Sequence, residues 1–536
     1  MTPGRPALRW RRRLRRAGAA EAWVTYLQDV EPALASCARA HRFAQVPIVR
    51  DASVRAAPLV VWIESGDEAA VARTRASLTA GSLAPADLLE GELHAALACS
   101  RAARVVLVRA GDELAPLALE RLGQAVTLAP DAAVITCDED ELDAQGRRRA
   151  PRLRPGPSPD RWLACDDSGP LLLVARERAG PLCRELTSGP GWRHQLALAL
   201  AGRASEHHAH VPLMLCHRAA VPRAQLASLA PREVQRLLAR FDPAARVEPV
   251  GSVRRVRRAH PGEPSVEAIV CFRDRPELLA RCVVSLLART HYEHLALALV
   301  DNGSCAAETA ELVRGLSAHR RVRVIRDPRP FHFAVLNNRA AASSSADVLV
   351  FLNNDTEVID PAWVETLLEE ALRAEVGAVA PLLLYPDGTI QHAGAALGLH
   401  GYAGHPFAGL APDTETPFGR AAGGTRNWLA VTAACMMVQR EKFLAAGGFD
   451  ESFVVAGNDV DLCLRLTMAG HRSLCVPHAK LVHDESRSRG AHIDPGDFVA
   501  SERSYGDFRT VGDPFYNPNL TLRSTDCALR GPAELR

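Results

Sequence analysis

The chain has 536 residues, 47% of them apolar and 24% charged, with a formal net charge of +2. This length exceeds one ordinary hydrophobic core, so we expect two or three globular domains, and the near-neutral charge gives no argument for a nucleic-acid partner. The 13 cysteines show no CxxC pair and no disulfide-framework spacing. That pattern favours a reducing, cytoplasmic compartment. No apolar run approaches the roughly 18 residues of a transmembrane helix.

The N-terminus is strongly basic. Arg9 through Arg16 contains six arginines, and we assign residues 1–50 to a basic arm with a helical lead-in. A solvated arm is the simpler interpretation. The alternative is a patch that contacts anionic lipid headgroups, which predicts peripheral contact with the inner face of the membrane. No apolar segment follows the arginines, so this is not a signal peptide.

Residues 51–250 show the pattern of an α/β domain. The strands and helix that we expect there are Leu59–Glu64, Val105–Val108, Leu117–Leu128 and Ala133–Thr136. The acidic run that follows, Asp138 to Asp140, is predicted to be a solvated turn. Charges and prolines in residues 251–264 then indicate a linker.

A second and more regular α/β domain is predicted over residues 265–522, followed by a C-terminal tail, 523–536. The elements in chain order are strand Val266–Phe272, a helix that begins at Pro276, strand Leu295–Val300, helix Glu308–Ala318, strand Val322–Ile325, helix Leu336–Ala342 and strand Val348–Leu352. Strands that alternate with helices predict a mostly parallel central sheet with right-handed crossovers.

Polar clusters follow three of these strands. They are Arg273-Asp274, Asp301-Asn302 and Asn353-Asn354-Asp355. In open α/β sheets ligands bind at the carboxyl ends of the strands, so these clusters predict one binding edge. Asn353 and Asp355 offer oxygen ligands suited to a hard divalent cation. An Asx turn that ends the strand is the alternative for this tripeptide.

Two carboxylates and a histidine stand out later in the chain. Asp461 lies four residues before Arg465, the spacing of a helix ion pair. Asp459 points to another side of the same helix, so it is the free carboxylate and the candidate general base. His483 has a ring nitrogen that suits a metal, although a lone histidine is more often structural.

Six segments occur in a fixed order between about residues 264 and 520. They are VEAIVCFRDRPELLARCVVSLL, LVDNGS, VLVFLNNDTEVIDPAW, GAVAPLLLYPDGTIQHAGAALGL, VTAACMMVQREKFLAAGGFDESF and NDVDLCLRLTMAGHRSLCVPHAKLVHDESRSRG. Together they resemble the family 2 inverting glycosyltransferases of GT-A fold. The resemblance is closest to the branch of rhamnosyl- and galactofuranosyltransferase-like enzymes that build bacterial surface polysaccharides.

The resemblance implies a role for each matching position. The donor nucleotide sugar would be bound by Arg273, Asp274, Asp301, Asn302 and Asn354. Mg²⁺ or Mn²⁺ would be held by Asn353, Asp355 and His483, and Asp459 would be the catalytic base. The sugar or acceptor pocket would be lined by His392, Trp428 and Asn458, with a plain core position as the alternative for Trp428.

Two positions depart from the family pattern. Asn353 replaces the first acid of the DxD metal motif, and Asn458 replaces the acid that often precedes the base. Both changes leave the strictness of metal dependence open. The resemblance otherwise implies an enzyme that transfers a sugar from a nucleoside-diphosphate sugar to a saccharide or lipid-linked saccharide acceptor.

Two other functions are weighed against this one. A sugar nucleotidyltransferase would carry a glycine-rich, basic phosphate loop near the first strand, and CFRDRPE is not one. A non-catalytic scaffold would not need Asp355 and Asp459.

The N-terminal half resembles a degenerate copy of the same domain. Its segment VVLVRAGDELAPLALERL is similar to the strand, metal motif and following helix of the family. However, Ala110-Gly111-Asp112-Glu113 stands where the acid pair is expected, and no carboxylate base is found near Trp192. We therefore predict that this half does not catalyse.

Overall fold

The computed structural model describes residues 22–31, 54–185, 189, 191–202, 207–220, 229–260, 262–484 and 494–534. The arginine-rich segment Arg9 to Arg16 lies outside these ranges, so its predicted membrane contact has no structural account. Within the described ranges, no helix has both the length and the apolar character needed to cross a membrane.

The first α/β domain is built on one mixed sheet. Its strands are β1 Val60–Ile63, β2 Asp87–Leu89, β3 Arg104–Val108, β4 Glu113–Leu114, β5 Val134–Leu142, β6 Arg148–Arg152, β7 Leu172–Ala175 and β8 His208–Ala219. Its helices are α1 Glu68–Thr79, α2 Leu93–Cys99, α3 Ala118–Leu128, α4 Pro159–Ala164, α5 Arg176–Cys183, α6 Trp192–Ala201 and α7 Pro231–Leu238, and a short π-helix, Tyr26–Val30, precedes them. The strand order is β2-β1-β3-β7-β5-β8-β4, with β6 paired to β5.

The acidic run is not a solvated turn, and that prediction was wrong. Asp138 to Asp140 lies in the middle of β5, where all three side chains are at most 2% exposed. Glu139 accepts from Arg154 at 2.9 Å, and Asp140 accepts from Arg148 Nε at 2.6 Å. Asp138 Oδ1 lies 3.0 Å from His210 Nε2. Buried carboxylates persist when each is paired, and here the partners lie on or just after the adjacent strand β6 and on β8.

The segment expected to be a linker includes part of a β-hairpin. Strands β9 Arg246–Val250 and β10 Val253–Arg257 pair antiparallel. Arg257 Nε donates to Glu369 at 2.7 Å, and the next residue, Arg258, donates to Glu370 at 2.6 Å. Arg257 and Arg258 are therefore bound to a helix of the second domain, whereas Arg254 of the same segment donates to Asp166 of the first domain at 2.7 Å.

The second domain has a larger mixed sheet. Its strands are β11 Val266–Phe272, β12 Leu295–Asp301, β13 Val322–Arg326, β14 Val348–Asn353, β15 Thr356–Val358, β16 Val376–Leu384, β17 Ile390–His392, β18 Ala396–Leu397, β19 Ala403–Gly404, β20 Glu415–Thr416, β21 Gly419–Arg420, β22 Arg426–Trp428, β23 Cys435–Gln439 and β24 Arg472–His483. Its helices are α8 Pro276–Arg289, α9 Ala307–Ser317, α10 Phe333–Ala342, α11 Trp363–Ala371, α12 Arg440–Ala445, α13 Asn458–Met468, α14 Pro495–Tyr505 and α15 Phe508–Val511, with short 3-10 turns at Leu399–Gly401 and Pro532–Glu534.

The expectation of an α/β fold is confirmed, but the sheet is more mixed than predicted, because β15, β17, β22 and β23 each pair antiparallel with their neighbours. The order is β13-β12-β11-β14-β23-β16-β24-β15, with β17 on β16 and β22 on β24. Strands β11 to β14 are parallel to one another, whereas β23 runs antiparallel to both of its neighbours. Along β11, Val266, Ala268 and Val270 pack on one face and Ile269 on the other. Burial on both faces explains the continuous apolar run in the sequence.

The two domains share one strand order. Strands β2-β1-β3-β7-β5-β8-β4 of the first domain match β12-β11-β14-β23-β16-β24-β15 of the second, in position and in chain order. Every matched pair also has the same relative direction, and β6 on β5 matches β17 on β16. Among the described residues, the first domain shows no equivalent of edge strand β13 or of the short strands around β22.

Candidate functional site

The loop after β11 is held in an unusual backbone conformation. Asp274 and Arg275 both have positive φ, 51° and 53°, which costs a residue with a side chain about 1–3 kcal/mol. Asp274 Oδ1 accepts hydrogen bonds from the amides of Ala306 at 2.8 Å and Cys305 at 2.9 Å. Those bonds hold the pKa of the Asp274 carboxyl below its ordinary value. Arg273 is exposed beside this loop and is free to meet a ligand.

The end of β12 supplies a second pair of polar side chains. Asp301 is 6% exposed, accepts from the Ser304 amide at 2.7 Å and lies 3.2 Å from Arg326 Nη1. Asn302 Nδ2 donates to the carbonyl oxygens of Asp327 and Arg329, at 2.9 and 2.8 Å. Its Oδ1 is buried and has no hydrogen-bond partner in the described protein.

Asp327 belongs to the same edge and was missed by the sequence reasoning. It directly follows β13, and its buried carboxylate lies 3.0 Å from Arg329 and 3.3 Å from Arg339. The signal was available, because the rule that selected the other strand ends applies equally to this one. The predicted strand stopped two residues before Asp327, so the residue was not considered.

The structure brings the three predicted metal-site residues together. Strand β15 pairs with β24 so that Thr356 is opposite His483. His483 Nε2 lies 3.2 Å from Asp355 Oδ1 and 3.4 Å from Asn353 Nδ2. The Thr356 hydroxyl donates to the Asn353 carbonyl at 2.8 Å, which closes the turn after β14. Asn354 is 6% exposed in the same turn.

The chemistry of this cluster suits a hard divalent cation. Asp355 Oδ1 and His483 Nδ1 are buried, and neither forms a hydrogen bond in the described protein. Within the part of the chain that the structure describes, no three His, Cys, Asp or Glu side chains form a metal-binding group. The cluster itself offers one carboxylate, one imidazole and one side-chain amide, which are donor types found in divalent-cation sites.

Asp459 and Asp461 have different environments, as their spacing predicted. Asp461 binds Arg465 Nε at 2.8 Å, so its assignment to a helix ion pair is confirmed. Asp459, the second residue of α13, is half-buried and pairs with no cation among the described residues. Its Oδ2 accepts from the Ala433 amide at 3.0 Å. The carbonyl of the next residue, Ala434, accepts from the backbone amide of Asn353 at 3.0 Å.

The three predicted pocket residues are all buried. His392 Nδ1 lies 3.0 Å from His405 Nδ1, and burial, with His405 and His483 nearby, lowers the pKa of His392 well below its ordinary value. Trp428 is 1% exposed and packs edge-on against Phe418, which is a core environment.

The indole of Trp428 also covers Gly394. A Cβ at Gly394 would lie within 2.1 Å of Trp428 Nε1, so this position accepts only glycine. Asn458 is 3% exposed and donates to the Val455 carbonyl at 3.4 Å, so it takes part in the turn that precedes α13.

The fold and this site define a class. Polar side chains collect at the carboxyl ends of the parallel strands, which is the edge where open α/β sheets bind their ligands. Residues 267–428 match the family model described as Glycosyl transferase family 2, so the chain carries a glycosyltransferase domain of that family.

Two curated relatives and one solved structure give the context. The chain is 42% identical over 437 residues to the O-antigen biosynthesis protein RfbC of Myxococcus xanthus, a match that covers 78% of this chain and 34% of RfbC. It is 32% identical over 169 residues to the N-acetylglucosaminyl-diphospho-decaprenol L-rhamnosyltransferase of Mycobacterium tuberculosis, covering 29% of this chain and 52% of that protein. GalNAc-T7, solved with UDP, GalNAc and Mn²⁺, is similar with a TM-score of 0.37 and 17% identity, over 46% of this chain and 50% of that one.

These matches are partial on both sides. The chain spans about a third of the length of RfbC and about half that of the rhamnosyltransferase. The family match ends at residue 428, before Asp459 and His483.

Proposed function

We propose that the second domain is an inverting glycosyltransferase that moves a sugar from a nucleoside-diphosphate sugar to a saccharide or lipid-linked saccharide acceptor. The observation that carries this proposal is that one short chain segment, Ala433–Ala434, is hydrogen-bonded both to Asp459 and to Asn353 of the Asn353–Asp355–His483 cluster. The Asp459 carboxylate accepts from the backbone amide of Ala433, and the backbone amide of Asn353 donates to the carbonyl of Ala434. A single displacement at the anomeric carbon requires a base and a diphosphate site that are held near each other.

Asp459 is the general base of the proposed reaction. Its carboxylate accepts the proton of the acceptor hydroxyl as that oxygen attacks the anomeric carbon. The diphosphate leaves from the opposite face of the sugar, so the configuration at this carbon inverts. Asp459 is suited to the role because it is half-buried and free of an ion pair among the described residues, whereas Asp461 is neutralised by Arg465.

Asp355, His483 and Asn353 would hold Mg²⁺ or Mn²⁺. The buried Asp355 Oδ1, which lies 3.2 Å from His483 Nε2, and the buried His483 Nδ1 without a hydrogen bond support this assignment. A bound divalent cation supplies charge neutralisation for a leaving diphosphate. The nucleoside half of the donor would bind at the strand ends that carry Arg273, Asp274, Asp301, Asn302 and Asn354, to which we add Asp327.

The proposal extends to the first domain, residues 51–250, as a degenerate, non-catalytic copy. Asp112 precedes β4 as Asp355 precedes β15, but Asp112 is bound by Arg109 Nη2 at 2.5 Å. A guanidinium therefore lies against the carboxylate that a metal would need. At the matching helix start, α6 follows a left-handed glycine as α13 does, and its second residue is Arg193 where α13 has Asp459.

We further propose that the acceptor belongs to bacterial surface polysaccharide biosynthesis. The support is the similarity over 78% of this chain to a protein named for O-antigen biosynthesis. A cytoplasmic location, with peripheral contact at the inner face of the membrane through Arg9 to Arg16, is part of this proposal. That contact would bring the enzyme to a lipid-linked acceptor.

The decisive experiment is release of nucleoside diphosphate from a panel of UDP-, GDP- and dTDP-sugars, with and without Mg²⁺ or Mn²⁺. We expect one donor to be consumed, faster with a saccharide acceptor and not at all by Asp459→Asn. If the full-length protein neither binds nor turns over any of these donors, the proposed glycosyltransferase activity is refuted. The non-catalytic scaffold is then the remaining alternative. One donor bound per chain, measured by calorimetry, is expected if the first domain is inactive.

A further inference from the structure

Helix α14 packs against the segment that leads to the candidate base. Asp497, near the start of α14, is 1% exposed. Its Oδ1 accepts from the Val454 amide at 2.6 Å, and its Oδ2 accepts from the amides of Val455 and Ala456 at 2.9 and 2.8 Å. One buried carboxylate therefore binds three consecutive backbone amides. Hydrogen bonds to a charged acceptor are about twice as strong as neutral ones.

The three amides belong to the turn that sets where α13 begins. Ala456 is followed by Gly457, the left-handed N-cap of α13 with φ of 91°, and Asp459 is two residues further on. A side chain at Gly457 would overlap the Tyr505 hydroxyl of α14. The Tyr505 ring also stacks on Phe453, with ring centroids 6.4 Å apart and planes within 1°. Helix α14 thus contacts the turn both before and after the three bound amides.

We infer that Asp497 is a positioning residue for Asp459. By fixing the amides of residues 454–456, it sets the register and direction of the first turn of α13, and with it the distance from the Asp459 carboxylate to the acceptor hydroxyl. Asp497 does not touch the reacting atoms, since both of its carboxylate oxygens accept hydrogen bonds from backbone amides. The inference rests on the proposed role of Asp459 and adds to it a residue about forty positions away in sequence. A displacement of about 1 Å at a catalytic group lowers the rate by as much as 10²-fold.

The test compares Asp497→Asn with Asp494→Ala in the full-length protein. The asparagine has the shape of aspartate but only one oxygen, so its NH₂ group would face an amide donor. Asp494 is the N-cap of the same helix, bonds only the Gly496 amide among the described contacts of its carboxylate, and serves as the matched control. We expect Asp497→Asn to lower kcat by roughly 30- to 100-fold, with donor KM changed less than about threefold. Asp494→Ala should keep kcat within about threefold.

Hydrogen exchange separates positioning from a general loss of structure. The amides of residues 454–456 should exchange faster in Asp497→Asn than in the wild type, while those of β11 and β14 stay protected. Wild-type kcat in Asp497→Asn would overturn the inference, and so would a rise in donor KM that matches the fall in kcat. If Asp497→Asn does not fold, Gly457→Ala moves the same turn from the other side, and near wild-type kcat in that variant would be equally decisive. An inactive wild type would refute the proposed function instead.

Discussion

Asp459 and Asn353 bind to consecutive residues of one chain segment. The Asp459 carboxylate accepts from the backbone amide of Ala433, and the backbone amide of Asn353 donates to the Ala434 carbonyl. The candidate base lies on a helix that begins at residue 458, and the candidate metal motif ends a strand more than a hundred residues earlier. Two residues leading into β23 fix the spacing between them, and a shift of this short segment would move both groups.

Asp459→Asn should abolish transfer and leave donor binding nearly intact. The amide keeps the size and the acceptor oxygen of the side chain but takes up no proton, and loss of a general base costs about 10²–10⁴-fold in kcat. The measurements are steady-state kinetics and calorimetry with the donor. Asp461→Asn is the matched control on the same helix: it weakens the pair with Arg465 but should retain most of kcat. Near wild-type kcat in Asp459→Asn would refute the base assignment.

Asp355→Ala should weaken the binding of donor and of divalent metal together. The proposed ion bridges this carboxylate and the diphosphate, so removing one ligand affects both. Calorimetry with donor, in Mn²⁺ and in chelator, measures the effect. Asp112→Ala is the control, because it removes the corresponding carboxylate of the first domain, and it should leave both affinities unchanged. Donor affinity in Asp355→Ala equal to that of the wild type would show that Asp355 holds no bridging metal.

Asp160→Ala should destabilise the chain through the contact between its two domains. Asp160 of α4 accepts from Arg373 Nη1 at 2.6 Å, and both side chains are at most 7% exposed. Removing one partner of a buried pair costs about 3–5 kcal/mol, and Glu370, which also binds Arg373, should keep the loss near the lower end. Chemical unfolding measures the change. Arg147→Ala, which removes only the 75% exposed partner of the surface pair with Asp143, should cost at most about 1 kcal/mol. Equal losses in the two variants would contradict the prediction.

Asp513 should make stability depend on pH. Burial raises the pKa of its carboxyl to about 7, although the amides of Leu397 and Phe515 donate to it. The unfolded carboxyl titrates near 4, so between about pH 4 and 7 the folded state holds a proton that the unfolded state has lost. The free energy of unfolding therefore falls as pH rises through this window.

Asp513→Asn removes that titration. The unfolding free energy of the wild type minus that of the variant should fall from about pH 4 to 7, by at most about 1.4 kcal/mol per pH unit. Denaturant unfolding of both proteins across this range measures it. Parallel pH profiles for the two proteins would show that the carboxyl titrates normally in the fold.

The sequence was most informative where one local pattern decides the structure. The apolar run of β11 and the helix that begins at Pro276 were predicted to the residue, because burial on both sheet faces and a proline at the first helical turn leave local signals. The different partners of Asp459 and Asp461 followed from helix periodicity alone. The strand-end rule selected the polar residues that follow β11, β12 and β14 but lost Asp327 after β13, because the predicted strand was too short.

Other features depend on which strands pair. The acidic run of β5 is buried because Arg148 and Arg154, on or just after the adjacent strand β6, and His210 of β8 lie against it, and only the strand pairing brings these partners to it. Likewise, Asp497 does not look like a site residue in the sequence, since its ligands are backbone amides. Long-range pairing of this kind is visible only once the sheet order is known.

A chain with two sheets of one strand order faces a problem during folding, when a strand of one domain can enter the other. The equivalent strands β5 and β16 differ sharply in chemistry. Strand β16 carries Ala380-Pro381-Leu382 near its centre, whereas β5 carries its three carboxylates. Exchanging them would bury those carboxylates without their arginines, at a cost of several kcal/mol for each charge. The difference in charge between these two equivalent strands therefore disfavours assembly of either half of the nascent chain with the other half's strand.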